Sequence, residues 1–403
     1  MNRKMIGWRG VLATGVVDYM NVHFSSSKRN LQVAGRALGV LRKLFPVGLR
    51  ISASRGWESL SLERGELVAR CDRAWPADPQ FLQEWAALQA RAPSATVFNS
   101  PGWQRAVTDE HFVAAGRLRI VTVRRDNELL AVFPLALSAA SVLETPGKWV
   151  SDYLDPLIDP AAAGDCWPVI LDLLNDNWDW STRGLVLHNI PETSAARTIL
   201  KAIAPDHGLE YLETVVDSTP YLQLPETWEK YLAMLSPKQR RAQKTNIRKA
   251  ETEGRARWLT LSTMQEIEPA LQRGLAAMRE AEGAKGQFSR EFLCGFLNRV
   301  VPTIVAQGDF YMHELWLMDK PAAWHFLLRS REGPMGYNCT FDAAQRNWSP
   351  GSTSFAMAIR SSIEAKFPKY NFLRGAEEYK ARFGCQSIDL MKISLLRKSR
   401  PRR

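Results

Sequence analysis

The sequence has few cysteines, and none of them lie at spacings that bind a metal or form a disulfide framework. The five cysteines are odd in number and widely separated, with no C-x-x-C pair, and they are Cys71, Cys166, Cys294, Cys339 and Cys385. This pattern argues against a zinc site and against a small fold held together by disulfides. We therefore expect a protein of a reducing compartment that uses no metal.

Long apolar runs and several common catalytic motifs are also missing. No stretch approaches the ~18 apolar residues of a membrane span. No glycine-rich loop leads into Lys-Ser/Thr, no glycine triplet forms a dinucleotide-binding fingerprint, and no G-x-S-x-G turn presents a nucleophilic serine. The sequence therefore predicts a cytoplasmic protein that does not use a covalent serine intermediate.

Acidic residues are scarce at both ends of the chain. Residues 1–56 contain ten Lys or Arg and one acid, and residues 391–403 contain six Lys or Arg and no acid. The remaining residues, 57–390, hold 37 basic and 41 acidic side chains, although the whole chain carries +11. Within the predicted extension 1–60, residues 30–45 have the pattern of a basic amphipathic helix, which indicates either a peripheral contact with the anionic inner face of a membrane or a packing extension.

The length and periodicity of the chain predict two units. At 403 residues, with 45% hydrophobic and 24% charged residues, two sizeable cores are possible. Apolar spacing predicts helix, hairpin, helix, strand, helix and strand over 61–224, and a helix pair, three strands, a helix and a strand over 225–395. We predict a helical connection at 225–254 and a basic tail at 396–403. The predicted fold class is α/β (α+β), with a mixed, mostly antiparallel sheet flanked by helices in each unit.

Residues 336–384 contain the most informative pattern. A predicted strand at 336–342 leads through a loop rich in helix breakers into a helical spacing at 352–366. The sequence Ser-Pro-Gly-Ser at 349–352 is a helix-start signal, and Gly351 leaves room for a ligand to approach the backbone. Unpaired N–H groups and the positive end of the helix dipole favour a pyrophosphate there, although a plain helix cap has the same pattern.

Further residues follow this pattern in a recognisable order. They are Tyr337 and Asp342, then Ser349-Pro350-Gly351, Phe372-Leu373-Arg374-Gly375, Glu377 and Tyr379-Lys380. The segment resembles the acyl-CoA-binding part of GNAT-type acyltransferases. It is most similar to the CelD/BcsL group, which is linked in name to cellulose or polysaccharide biosynthesis and which resembles the FemAB peptidyltransferases. Weaker phrases, FNSPGW, YLDPLIDP and SPKQRRAQKTNIRKAETEG, extend the resemblance to roughly residues 75–390.

The resemblance implies tandem GNAT-like units and a direct attack on acyl-CoA, most simply acetyl-CoA, in a ternary complex. The first unit would be a degenerate copy that shapes the acceptor cleft, and backbone N–H groups around 338–340 of the second would stabilise the oxyanion. The cofactor-binding candidates are Gln345, Asn347, Ser349, Gly351, Ser352 and Thr353. The catalytic candidates are Glu377, Tyr379 and Asp342, and the substrate-binding candidates are Arg374, Lys380, Tyr337 and His325.

Several candidates have a second interpretation. Glu377 lies near two cations, so it is either a general base or half of an ion pair. Tyr379 either protonates the leaving thiolate or packs as an aromatic residue with a bonded hydroxyl. His325, in the run AAWHFLL, lines the cleft or belongs to the core, and Glu314 is a weaker candidate for the base.

A cationic helical face precedes the second unit. Arg241, Lys244 and Arg248 share one side of a predicted helix at i, i+3 and i+7. Such a face is either solvated or contacts an anionic acceptor or the 3′-phosphate of CoA.

The sequence therefore predicts an N- or O-acyltransferase whose acceptor is a sugar or a related precursor of the cell envelope. Two alternatives remain. A FemAB-like aminoacyl transferase that draws on aminoacyl-tRNA needs a basic surface on the body of the protein, which is net acidic, so we expect no nucleic-acid partner. A non-catalytic module that binds a precursor is the other alternative, because Asn371 and Ala376 stand where the CelD/BcsL group usually has acidic residues.

Overall fold

The computed structural model describes residues 49–50, 59–109, 113, 116–177, 183–281, 283–375 and 377–397. The predicted amphipathic helix at 30–45, Ala376 and most of the basic tail lie outside these residues. In the part of the chain that is described, no helix is long and apolar enough to cross a membrane.

The described residues up to 223 form nine strands and four helices. In chain order these are β1 (Leu49–Arg50), β2 (Ser59–Arg64), β3 (Leu67–Asp72), α1 (Pro79–Arg91), α2 (Pro101–Val107), β4 (Leu118–Arg125), β5 (Glu128–Leu137), β6 (Val142–Glu144), β7 (Leu157–Ile158), α3 (Ala163–Asn177), β8 (Gly184–Pro191), α4 (Ala195–Ile203) and β9 (Leu209–Gln223).

The described residues from 228 onward form six strands and seven α-helices. They are α5 (Trp228–Met234), α6 (Pro237–Thr252), β10 (Arg257–Leu261), α7 (Met264–Glu280), α8 (Gly283–Phe288), α9 (Cys294–Ala306), β11 (Phe310–Leu317), β12 (Lys320–Ser330), β13 (Gly333–Phe341), α10 (Pro350–Glu364), β14 (Lys369–Asn371), α11 (Glu378–Ala381) and β15 (Gln386–Arg397). A π-helical turn joins α8 to α9.

These strands form one sheet. Its order is β1-β2-β3-β4-β5-β6-β8-β15-β9-β14-β13-β12-β11-β10, and β7 pairs with β5. Two of the described pairs, β6–β8 and β13–β14, are parallel, and the others are antiparallel. The mixed, mostly antiparallel sheet flanked by helices confirms the predicted fold class.

The last strand returns to the first half of the chain. β15 lies between β8 and β9 and pairs with both of them. β9 in turn pairs with β14 through Lys369–Asn371, so it joins the two halves of the sheet. The boundary between residues 224 and 225 therefore remains a prediction. The strands of the two predicted units are hydrogen-bonded to one another in one sheet.

Helices pack on both faces of the second half of the sheet. On one face, α7 and α9 bury a cluster that includes Phe296 and Phe326. Trp103 of α2 enters this cluster, with its ring 5.2 Å from that of Phe296, so a residue of the first half fills the core of the second. On the other face, Phe355 and Ile359 of α10 pack against Tyr370 of β14.

Local sequence explains the start and orientation of α10. Pro350 occupies its first turn, where a missing N–H is tolerated, and Ser349 has the left-handed φ of 51° at the cap position. The apolar positions predicted from the sequence, Phe355, Ala358 and Ile359 among them, are buried against the sheet. This packing directs the N-terminal end of α10 to the carboxyl end of β13.

Candidate functional site

The two parallel strands of the second half separate almost at once. β13 and β14 share a single pair of opposed residues, Met335 and Asn371. β13 continues to Phe341, but β14 ends at Asn371, so in the described chain no strand pairs with this side of β13 beyond Met335. An opening outside the carboxyl ends of parallel strands is where α/β proteins bind ligands.

The equivalent opening in the first half is closed. β6 and β8 are opposed over three residues, Val142 to Glu144 against Gly184 to Val186. Thr145 extends this pairing, because its N–H donates to the carbonyl of Val186 and its hydroxyl accepts from the N–H of His188. The first half therefore lacks the gap between parallel strands that the second half has.

β13 contains a bulge beside the opening. Leu327 of β12 is opposed to Gly336 and Phe326 to Asn338, so Tyr337 is an extra residue in β13. A bulge changes the direction of side chains and backbone groups. The segment 338–340, for which we predict an oxyanion donor, begins directly after it.

Tyr337 connects the bulge to the first half of the chain. Its hydroxyl donates to the carbonyl of Val150 at 2.8 Å, and its ring lies 5.5 Å from that of Trp103. Close by, Nδ2 of Asn371 donates to the hydroxyl of Tyr153 at 2.8 Å. The segment that follows β6 thus forms one wall beside the opening.

The loop between β13 and α10 is held by its own polar side chains. One carboxylate oxygen of Asp342 accepts from the N–H of Ala344, and the other accepts from Nε2 of Gln345 at 3.2 Å. Gln345 also donates to the carbonyl of Pro321. Asp342 and Gln345 therefore fix the loop, and their predicted catalytic and cofactor roles remain predictions.

The N-terminal end of α10 presents free donors to the opening. The side chain of Ser349 does not cap this end of the helix. Thr353 is the first residue whose N–H makes a helical hydrogen bond, which it donates to the carbonyl of Ser349. Within the described residues, the N–H groups of Gly351 and Ser352 have no hydrogen-bond partner. Together with the positive end of the helix dipole, these groups form a site suited to an anion.

Gly351 also keeps α10 close to the end of β13. A Cβ on this residue would lie 3.2 Å from Cδ1 of Phe341, whose side chain is partly exposed. In the same loop, the carbonyl of Asn347 accepts from the ammonium of Lys249. The side chain of Thr353 is fully buried, and its hydroxyl has no partner in the described structure.

Tyr379 presents a free hydroxyl beside α10. Its ring packs 5.4 Å from that of Phe355. In the described part of the chain its hydroxyl accepts or donates no hydrogen bond. Burial raises the pKa of Tyr379 above its usual value, with the nearby Glu377 and Cys339 as smaller causes. The phenol therefore stays protonated at neutral pH.

Lys380 is satisfied by the chain itself. It is 4% exposed, and its ammonium donates to the carbonyls of Leu373, Arg374 and Gly375 at 3.3, 2.9 and 3.0 Å. It also pairs with Glu377 at 2.9 Å. These contacts fix the turn after β14 and use the donors of the ammonium group.

Arg374 ties the two halves together. Its guanidinium donates to the carbonyls of Lys148 and Trp149 at 2.7 and 3.1 Å, and its backbone N–H donates to Asp152 at 3.0 Å. Nε lies 3.4 Å from the other oxygen of that carboxylate. Arg374 therefore holds the wall segment against the turn, and an acceptor would compete with these partners for it.

Glu377 is an exposed charged group at the end of this turn. Its side chain is 48% exposed and lies against Gly375, whose φ of 110° and missing Cβ allow the approach. Asp217 is nearby, and its pKa is raised by burial and further by Asp152 and Glu377. Glu377 is therefore an accessible carboxylate two residues before Tyr379.

His325 lies beneath the opening rather than at its surface. It is fully buried, and its Nε2 is 3.0 Å from the hydroxyl of Tyr370. Burial lowers the pKa of His325 to about 3, so the ring is neutral. Glu314 is likewise buried and accepts from Arg273, Trp316 and Trp324. Both side chains support the sheet from within.

Asn338 is a residue of this site that sequence patterns did not indicate. The side-chain amide of Asn338 makes no hydrogen bond to the described chain, and its Oδ1 is buried. Its position directly after the bulge, opposite Phe326, puts it on the face that Tyr337 occupies. No local sequence signal marks a bulge, so this residue required the structure. In the described residues, no group of three or more His, Cys, Asp or Glu is arranged to hold a metal.

Comparisons with known proteins agree with this geometry. The family model of the acetyltransferase (GNAT) domain matches residues 237–381. The solved structure of FemX is similar over 78% of this chain and 96% of its own, with 11% identity and a TM-score of 0.54. The match and the FemX likeness together show a GNAT acyltransferase fold.

Two further solved structures are similar at lower scores. The C-terminal domain (DUF2156) of a putative lysylphosphatidylglycerol synthetase from Agrobacterium fabrum covers 78% of this chain and 91% of its own, with 11% identity and a TM-score of 0.46. A tandem GNAT protein from the clavulanic acid biosynthesis pathway covers 82% and 100%, with 13% identity and a TM-score of 0.44. No curated protein sequence matches the chain.

Proposed function

We propose that this protein is an acyl-CoA-dependent acyltransferase that binds its donor between β13 and β14. The proposal rests on two structural features that lie next to each other, an unpaired strand side and a helix N-terminus. Among the described residues, no strand pairs with one side of β13 beyond Met335, and this side adjoins the N-terminal end of α10, where the N–H groups of Gly351 and Ser352 have no partner. An acyl-pantetheine arm would pair with this side of β13 as an added strand, and a pyrophosphate would bind at the N-terminal end of α10.

The chemistry needs few protein groups, because a thioester is already activated. The acceptor's amine or hydroxyl attacks the thioester carbon, and a C–N or C–O bond forms. A backbone N–H just after the bulge stabilises the oxyanion. Glu377 receives the proton of the acceptor, the C–S bond breaks, and the thiolate takes a proton from Tyr379. The products are an amide or ester and CoA with a free thiol.

The free hydroxyl of Tyr379 supports its role as the acid. A phenol whose pKa is raised is protonated at neutral pH. Its hydroxyl has no partner among the described residues and is therefore available to a ligand. Asp342, by contrast, has both carboxylate oxygens bonded within the loop. We therefore favour Glu377 over Asp342 as the base in this scheme.

The acceptor would enter beside the wall segment that follows β6. This wall includes the carbonyls that Arg374 contacts and the partly exposed Trp149. Polar groups next to an exposed aromatic ring suit a sugar or a related precursor of the cell envelope, as the CelD/BcsL resemblance implies. The basic ends of the chain would keep the protein near an anionic membrane surface.

An aminoacyl-tRNA donor is the second candidate. The observation that favours it is the set of exposed cations on α6, next to the loop before α10. Calorimetry separates the two donors. We expect CoA and acetyl-CoA to bind with micromolar affinity and an uncharged tRNA to bind only weakly at physiological salt. Tight tRNA binding without CoA binding would replace the proposed donor, and binding of neither would leave a non-catalytic module.

A further inference from the structure

Three adjacent strands of the first half each place a polar side chain on the same face of the sheet. Leu143 of β6, Leu187 of β8 and Ile393 of β15 are buried in the core that α3 and α4 cover. Because side chains alternate along a strand, a residue next to each of these lies on the opposite face. In β6, β8 and β15 these residues are Glu144, His188 and Lys392.

A bulge in β8 lies at the centre of this row. Between the paired positions 187 and 190, two residues of β8, His188 and Asn189, face the single residue Lys392 of β15. A bulge changes the direction of the side chains beside it. This one also holds the wall segment, because Nδ2 of Asn189 donates to the carbonyls of Lys148 and Ser151 at 3.1 and 2.8 Å.

The imidazole of His188 is oriented by a carboxylate. Its Nε2 lies 2.9 Å from Oε2 of Glu144, and the ammonium of Lys148 donates to the same oxygen at 3.1 Å. Burial opposes the ionisation of Glu144, but its contacts with His188 and Lys148 outweigh burial and lower its pKa. Burial lowers the pKa of His188, so the neutral ring donates from Nε2 to the carboxylate. Nδ1 has no partner in the described chain and is available to accept a hydrogen bond.

Lys392 is a partly buried cation in the middle of the sheet. Among the described residues, no carboxylate or other acceptor contacts its ammonium. The nearby acids already have cations beside them: Glu144 contacts a lysine, and Asp152 and Asp217 lie 3.4 and 4.0 Å from Nε of Arg374. A charge that is partly removed from water costs free energy unless it is paired. An anionic group of a ligand would supply the missing partner.

An exposed aromatic ring borders these polar groups. Trp149 is 38% exposed, and the ammonium of Lys148 lies 5.4 Å from the centre of its ring. The guanidinium of Arg374 donates to the carbonyls of both residues, and Glu377 follows three residues later. The ring and the polar row therefore lie next to the segment that holds the proposed base.

We propose that Lys392, His188 and Trp149 form a subsite for an anionic sugar of the acceptor. This inference rests on the proposed function and adds that the acceptor carries an acid, either a carboxylate or a phosphate. The ammonium of Lys392 binds the acid through a charge-assisted hydrogen bond. Nδ1 of His188 accepts from a sugar hydroxyl, and the ring of Trp149 packs against the sugar.

The test titrates small sugars into protein with isotope-labelled histidine and follows the Cε1–H signal of His188 by NMR. The signal is assigned by its loss in His188→Gln. We expect glucuronate or glucose 6-phosphate to bind with a dissociation constant of about 1 mM and glucose to bind about tenfold more weakly or worse. The tighter of the two anionic sugars identifies the acid.

Acetate and inorganic phosphate supply the acid without the sugar and should also bind more weakly. If glucose binds as tightly as the anionic sugars, the acid contributes nothing and the inference is overturned. Equal binding of the matching free acid would overturn it as well, because the sugar ring would then contribute nothing.

The variant Lys392→Met removes the charge and keeps most of the side chain. It should weaken binding of the anionic sugar about tenfold or more and leave CoA affinity unchanged. Trp149→Ala should weaken binding of the sugar but not that of the free acid. Lys320→Met is the matched control, because Lys320 is an exposed strand lysine without a carboxylate partner in the described chain, and its loss should change neither affinity.

Two outcomes in the Lys392→Met variant would overturn the inference. One is unchanged affinity for the anionic sugar, and the other is an equal loss of affinity for the sugar and for CoA. The proposed function fails separately, because it is rejected if CoA does not bind to the unaltered protein.

Discussion

The hydroxyl of Tyr370 lies 3.0 Å from Nε2 of His325, and both side chains are fully buried. His325 belongs to β12 and Tyr370 to β14, so this contact passes over β13, which separates the two strands. It does so at Gly336, where a Cβ would lie 2.7 Å from the hydroxyl and 3.2 Å from the imidazole nitrogen. The pair therefore fixes β14 next to the residue where its pairing with β13 stops.

The first prediction tests the space at Gly336. We expect Gly336→Ala to lower the free energy of unfolding by about 1–3 kcal/mol, because the added methyl group overpacks a buried site and separates a hydrogen-bonded pair. Urea denaturation measures the change. Gly295→Ala is the control, because that glycine is exposed on α9 with ordinary contacts and should gain stability. Equal effects at the two positions would contradict the proposed packing.

The second prediction concerns pH. Burial lowers the pKa of His325 to about 3 and that of His313 to about 4, both from 6.5. The unfolded chain therefore binds protons below pH 6.5 while the folded chain does not. Stability should fall as the pH drops from 6.5 toward 4, by up to about 1.4 kcal/mol per pH unit for each histidine.

Urea titrations at pH 7, 6 and 5 test this dependence. We expect His325→Gln to be less stable at pH 7 but to have a shallower loss of stability toward pH 5 than the unaltered protein. The comparison uses the slopes, so a general loss of stability does not affect it. An unchanged slope would mean that the imidazole of His325 is protonated in the folded protein.

The third prediction separates the two roles of Glu377. If this carboxylate is the base, Glu377→Gln should lower turnover about a hundredfold and leave CoA affinity nearly unchanged. Lys380 is buried, but the carboxylate of Glu377 is half exposed and the ammonium keeps three carbonyl partners, so the melting temperature should change little. A large loss of stability with normal activity per folded molecule would remove Glu377 from the mechanism.

The matched variant at the next candidate is Tyr379→Phe. It removes a hydroxyl that has no protein partner in the described structure, so we expect unchanged stability. Turnover should fall with acetyl-CoA and recover with an acyl donor whose thiol leaving group is more acidic. A fall that is the same for both donors would show that the hydroxyl does not protonate the leaving group.

The fourth prediction concerns the basic N-terminal extension, which lies outside the described residues. Residues 1–56 carry ten basic residues and one acid, so their removal should abolish salt-sensitive sedimentation with anionic vesicles. CoA binding should be unaffected. Equal sedimentation of the full chain and the truncated chain would leave the extension without this role.

Short-range patterns in the sequence predicted the elements of the site well. The predicted strand at 336–342 is β13 at Gly333–Phe341, and the predicted helix at 352–366 is α10 at Pro350–Glu364. Apolar periodicity and the Ser-Pro-Gly start are local signals, and they locate elements to within a few residues. The three strands predicted before this helix are β11, β12 and β13.

These local patterns could not predict which distant strands pair with each other. Nothing in residues 386–397 indicates that this strand pairs with β8 and β9, about 200 residues earlier. From the sequence, only neighbouring residues could be suggested as partners of Arg374. In the structure, its guanidinium donates hydrogen bonds to the carbonyls of Lys148 and Trp149. Backbone acceptors carry no side-chain signature, so such contacts require the folded structure.

The central claim is that acyl-CoA binds where β13 adjoins the start of α10, and Gly351 tests it most directly. A valine there would block the approach to the free N–H groups and contact Phe341. Isothermal titration of CoA into Gly351→Val should give a dissociation constant at least tenfold higher, or about 1.4 kcal/mol, in a protein that remains folded.

The double variant Gly351→Val/Phe341→Ala separates a blocked anion site from a displaced helix. Removal of the Phe341 ring relieves the contact that would shift α10, but it leaves the valine in front of the N–H groups. We predict that CoA affinity stays at least tenfold below that of Phe341→Ala alone. Unchanged CoA affinity in folded Gly351→Val would contradict the account.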